Sequence, residues 1–185
     1  MSDGRVHYAR NGDVRLAYRV FGDAGPTLVW VPGWVVNNVD NYVDNYDEAA
    51  SPYAMLIEFI SRSARLVIMD RRGTGLSDPV THPPSPDEKV DDLRAVLNAI
   101  GAERPTLVGS GEGGPICILF AATYPERVHS LIMWGSAARF SQQLPDFPWG
   151  FTPDQIAAQF DDIDKNWGEG ALAELFHGAA RNPAR

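Results

Sequence analysis

Four short, unbroken apolar runs constrain this chain most: Thr27 to Val31, Leu66 to Met69, Thr106 to Val108 and Ser130 to Trp134. A strand with one wet face alternates apolar and polar residues, whereas runs of this kind fit strands of a parallel sheet covered on both faces. Parallel neighbours need long crossovers, and helical patterns fill the intervals. Pro52 to Arg62 gathers Met55, Leu56, Phe59 and Ile60 on one face. Pro86 to Ile100 gathers Val90, Leu93, Val96, Leu97 and Ile100, with Asp87 and Glu88 in its first turn and Gly101 behind its end. Ahead of these, Val6 to Arg10 and Val14 to Phe21 alternate and flank Asn11-Gly12-Asp13, a hairpin signal. A hairpin followed by βαβαβ predicts an α/β fold with a doubly wound, mostly parallel sheet. Its crossovers are right-handed and its functional loops gather at the carboxyl ends of the strands.

At 185 residues the chain can bury one core, although folds of this kind often take ~200 to 250 residues to close. The sheet is therefore expected to be incomplete toward the C-terminus. Hydrophobic content of 44% against 22% charged excludes wholesale disorder. The net charge is −8 and the basic residues are scattered, which speaks against a nucleic-acid or anionic-membrane surface. The polar start and the lack of an apolar run near ~18 residues predict a cytoplasmic protein. Cys117 is the single cysteine, so neither an internal disulfide nor a thiolate metal cluster is available, and it reads as a small buried hydrophobe. Val39, Tyr42, Val43 and Tyr46 would form one stripe in a helix. Past Phe140 the composition shifts toward Gln, Asp, Pro and Trp, and helices are suggested at Pro153 to Ile163 and Gly170 to Ala180. Residues 1–140 are thus expected to form the core and residues 141–185 the start of a helical cap.

The run Thr106 to Val108 ends in Gly109-Ser110-Gly111-Glu112-Gly113-Gly114, a bend opening a helix. One reading is G-x-G-x-x-G, the phosphate-cradling turn of dinucleotide-binding folds. Glu112 opposes it by placing a carboxylate in that loop, and the next strand ends in Trp134-Gly135-Ser136 without an acid for a ribose. The other reading is a nucleophile elbow, in which the residues two before and two after a strained apex must be tiny. Centred on Ser110, those positions are Val108 and Glu112; centred on Gly111, they are Gly109 and Gly113. The apex is therefore Gly111, which carries no side chain, and Ser110 lies one residue early as a weak nucleophile candidate. Backbone N–H groups of Glu112 and Trp34 would form the oxyanion hole.

Several stretches resemble the α/β-hydrolase family, and in particular the hydrolase-like modules ahead of class III adenylate cyclase domains. They are Leu16 to Gly22, Val31-Pro32-Gly33-Trp34, Met69-Asp70-Arg71-Arg72-Gly73-Thr74-Gly75-Leu76-Ser77-Asp78, Gly111 to Pro115 and Phe120 to Val128. The resemblance covers most of residues 5 to 140. It implies a loop pinned after the fourth strand, in which Asp70 and Arg72 pair or bond backbone. It also implies a serine where Gly111 stands, and an acid and a histidine after later strands. Gly135-Ser136-Ala137-Ala138 offers no acid, and no terminal histidine element is recognisable. His7 lies on the hairpin, His82 in a proline-rich loop and His129 at the start of a strand; His177 alone is late enough. Asp162, Asp164 and Asn166 mimic the start of a calcium loop, but Trp167 and Ala173 stand where glycine and glutamate belong, so a solvated acidic turn is expected and no metal or cofactor.

Three functions follow as expectations. One is a non-catalytic binding or regulatory module for a small apolar or acyl ligand, with Trp34, Tyr42, Tyr46, Trp149 and Phe151 as pocket walls and, by resemblance alone, a class III cyclase domain as partner. Another is an esterase-like serine hydrolase using Ser110. The last is a truncated product whose unfinished sheet promotes homo-oligomers.

Overall fold

The computed structural model describes residues 5–33, 38–40, 52–139, 141, 147–148 and 150–166. The chain divides into two units, residues 1–138 and 139–185. In the first unit six strands form one sheet: β1 (His7–Asn11), β2 (Val14–Phe21), β3 (Thr27–Val31), β4 (Arg65–Met69), β5 (Thr106–Ser110) and β6 (Ser130–Trp134), in the order β1-β2-β4-β3-β5-β6. The opening hairpin is antiparallel, β2 joins β4 antiparallel, and β4, β3, β5 and β6 are mutually parallel. Helices α1 (Pro52–Ser61), α2 (Pro86–Ala99) and α3 (Gly113–Thr123) are the crossovers, and a 3-10 turn at Pro125–Arg127 leads into β6. The sheet is a mostly parallel α/β sheet, as expected.

Successive residues of the central strands feed opposite layers. Val29, Val31, Val67, Met69 and Leu107 pack with Leu93, Val96, Leu97, Cys117 and Phe120 of α2 and α3. Leu66, Ile68 and Trp30 pack with Ile57 of α1 and with Val39 on the other face. This two-sided burial is why these runs carry no polar alternation. Burial pushes the Cys117 thiol up to about 12, so it packs as a hydrophobe.

Two expectations change. In α1 the buried residue is Ile57; of the four residues inferred to face the core, Ile60 packs against it and Leu56 is half-buried, whereas Met55 and Phe59 are 61% and 71% exposed. A helix that is apolar almost all round does not specify its buried side. Strand β6 is exposed along its whole length, because it is the edge strand and the described residues place no strand beyond it.

The loop after β4 is pinned at both flanks. Asp70 is fully buried and accepts from the amides of Val39 (3.2 Å) and Leu76 (2.9 Å). Burial raises its pKa in spite of those bonds. Ser77 Oγ donates to the Asp70 carbonyl and accepts from the Ala17 amide. Arg72 reaches α2, where it meets both oxygens of Asp92 at 2.5 and 2.6 Å and Glu88 at 2.7 Å.

In the second unit, α4 (Pro153–Asn166) is helical through the stretch expected to be an acidic turn, and Asn166 Nδ2 donates to Asp162 within it. The expected helix from Gly170 to Ala180 lies outside the described residues.

Candidate functional site

Strand β3 is followed in sequence by its neighbour β4 on one side, and β5 then pairs on the other side of β3. The strand order thus reverses between β3 and β5, where ligands of open α/β sheets bind beyond the carboxyl ends. The turn after β5 and the loop after β3 meet at that point.

Gly111 forms the apex with φ +50°, a left-handed conformation that glycine adopts without Cβ strain. A Cβ on Gly109 would stand 2.6 Å from Gly114 Cα, and a Cβ on Gly113 would collide with the Val31 carbonyl oxygen. Both positions bracketing Gly111 therefore demand glycine so that β5, α3 and the β3 loop can touch. A Cβ on Gly114 would meet the side chains of Met133 and Ser136 rather than backbone, a softer constraint that the sequence reading did not single out. The turn is tied to β6: Gly111 N–H donates to the Trp134 carbonyl (3.3 Å) and Ser136 Oγ donates to the Gly111 carbonyl (2.5 Å). A Cβ on Gly111 would stand 3.2 Å from Gly33 Cα, so the β3 loop lies directly against the apex.

Ser110 ends β5, and its hydroxyl accepts from the Trp30 indole Nε1 (2.8 Å) and from the Gly33 amide (3.3 Å). It thereby ties the β3 loop to β5. Glu112 follows the apex as the N-cap of α3 without a side-chain capping bond. Its carboxylate instead meets Arg71 Nη1 at 2.8 Å. Arg71 is the site neighbour that sequence reasoning missed; the only signal was a second arginine beside Arg72 at the end of a buried strand.

Of the other candidates, Trp34, Tyr42, Tyr46, Trp149 and His177 lie outside the described residues. Phe151 belongs to the second unit, is 42% exposed and forms an isolated bridge with Ser141. His7 sits on β1, His82 is exposed beside Glu88 at 3.3 Å, and His129 precedes β6 at the amino end of the sheet, opposite the elbow. Among the described residues, no three His, Cys, Asp or Glu side chains converge as a metal site. No described helix is long and apolar enough to cross a membrane.

Comparison with known proteins gives this geometry a lineage. A family profile described as "alpha/beta hydrolase fold" matches residues 26–169. The chain is 31% identical over 139 residues to 2-hydroxymuconate semialdehyde hydrolase of Pseudomonas sp. (strain CF600), covering 71% of this chain and 49% of that protein. It is 30% identical over 145 residues to the 2-hydroxy-6-oxononadienedioate/2-hydroxy-6-oxononatrienedioate hydrolase of Paraburkholderia phymatum, covering 78% and 44%. Among solved structures, an esterase from Exiguobacterium antarcticum superposes with a TM-score of 0.72 at 24% identity, covering 93% of this chain and 60% of that one. The chain thus spans about half the length of these curated relatives. A profile match over most of the sequence, on a sheet that superposes across nearly all of it, makes this chain a member of the alpha/beta hydrolase fold family.

Proposed function

We propose that this chain is a binding or regulatory module of hydrolase lineage that holds a small apolar or acyl ligand without turning it over. One observation carries the reading: the elbow apex is Gly111, with no side chain to attack a carbonyl. Ser110 supports it from beside the apex, since its hydroxyl already serves as acceptor for Trp30 and Gly33. An oxyanion hole without a nucleophile is a polar docking spot for a carbonyl or carboxylate, and the N–H of Glu112 is its proposed donor in the described part. A class III cyclase as attached or partner domain is proposed on motif resemblance alone.

A second reading, an esterase-like serine hydrolase using Ser110, draws on the names of the relatives and on the place of Ser110 at the end of β5, one residue before the elbow apex. A fluorophosphonate probe separates the two. The binding-module reading expects no label; labelling at Ser110 that Ser110→Ala abolishes would establish the hydrolase. Gly111→Ser alone is expected to leave esterase activity at background, because a serine needs a base to activate it.

A further inference from the structure

Beside the bare apex stands a charged pair, Arg71 with Glu112. Arg71 follows β4 and is 9% exposed, yet its guanidinium is spent on Glu112, whose side chain is 46% exposed. Glu112 is the wetter partner, so water can take up its carboxylate when another anion replaces it at the guanidinium. Arg71 Nε is buried and has no hydrogen-bond partner, although an unmet buried donor is costly and most are satisfied. The guanidinium fork therefore has donor capacity in reserve, directly beside the first residue of the eleven-residue helix α3. Helix N-termini favour negative charge, and backbone of the β3 loop closes the side away from Arg71: a Cβ on Gly33 would stand 3.4 Å from the Glu112 nitrogen and 3.1 Å from Gly111 Cα, so a carboxylate meets the helix start from the Arg71 side.

We propose that Arg71 and the first turn of α3 form a receptor for the carboxylate of a small organic acid, with the Glu112 side chain as its displaceable internal occupant. The inference rests on the binding-module reading and specifies its ligand class. A planar guanidinium matches a carboxylate in two-point contact, which a neutral ester cannot reproduce with full charge. At an apex without a hydroxyl, no bond to the ligand forms or breaks. The acid is bound and released unchanged.

The test is a titration of the full chain with phenylacetate and, separately, with methyl phenylacetate, followed by the amide resonances of Glu112 and Gly113. Phenylacetate is expected to shift both amides and to bind at least tenfold tighter than the ester. Arg71→Gln should weaken it at least tenfold. Glu112→Gln, whose amide oxygen can still accept from Arg71 Nη1, should tighten it severalfold by removing the competing charge. Equal affinity for acid and ester, an unaltered affinity in Arg71→Gln, a weakened one in Glu112→Gln, or no response to either probe would each overturn the inference. Binding of the ester alone would overturn the carboxylate class and leave the module standing, whereas fluorophosphonate labelling at Ser110 would remove the module reading itself.

Discussion

Ser110 and the glycines around it show how a single hydroxyl or a single missing Cβ fixes a turn. Ser110→Ala withdraws one acceptor from both Trp30 and Gly33, a loss expected to cost about 1 kcal/mol in this part-buried setting. Because the Trp30 and Trp134 rings lie 5.4 Å apart beside it, the same variant should change tryptophan fluorescence in the folded state; an unchanged spectrum and urea midpoint would refute the clamp. Gly113→Ala places a methyl group against the Val31 carbonyl, a backbone atom that cannot rotate away, and is expected to cost about 3 kcal/mol or more. Gly111→Ser must hold a side chain at φ +50°, which should cost about 1 to 2 kcal/mol, and it requires its nearest neighbour, Gly33 Cα, to move by only a few tenths of an ångström. Thermal melts of the two variants rank them directly. The order Gly113 before Gly111 is the signature of an elbow centred on residue 111.

Helix α2 depends on charges at its start and along its buried face. Ser85 and Glu88 form a capping box, and Glu88 also meets Arg72 and His82. The amide of Ser85, foremost among these partners, helps hold the Glu88 carboxyl at about 2, below its ordinary 4.5. A depressed carboxyl stabilises the fold above its unfolded value and loses that contribution as pH falls through the folded one. Wild type should therefore exceed Glu88→Gln in urea midpoint above pH 4.5, and the gap should close as pH approaches 2. Asp70 has the opposite sign. Its raised pKa means that ionisation inside the protein is penalised as pH rises from 3.8 through the folded value, so Asp70→Asn should flatten that part of the stability profile. Arg72→Met strands Asp92, which is 2% exposed and otherwise holds Asn11, and is expected to cost about 3 to 5 kcal/mol in chemical denaturation.

Across the whole first unit the weak point is β6. Leu131, Ile132, Met133 and Trp134 are 37 to 47% exposed on an edge strand without proline or charge. Such an edge templates pairing with other chains, so Ile132→Lys is expected to raise the soluble concentration and reduce light scattering without altering the Trp30 environment. The same strand marks where sequence reading reached its limit. The apolar runs, the Asn11-Gly12-Asp13 turn, the acidic first turn of α2 with the glycine behind its end, and the glycine-bracketed bend were legible because each is a local consequence of period, helix-end electrostatics or backbone sterics. Their α/β order followed from the same signals. Which face of α1 is buried, the bareness of β6, the tether from Ser110 to Trp30 and Gly33, and the meeting of Arg71 with Glu112 were not legible. Those pairs are 41, 77 and 80 residues apart, and only the packing of β3, β4 and β5 side by side brings them within hydrogen-bond reach. Local patterns can dictate what each segment becomes; the identity of its neighbours arises when the sheet closes and the chain's distant parts share one core.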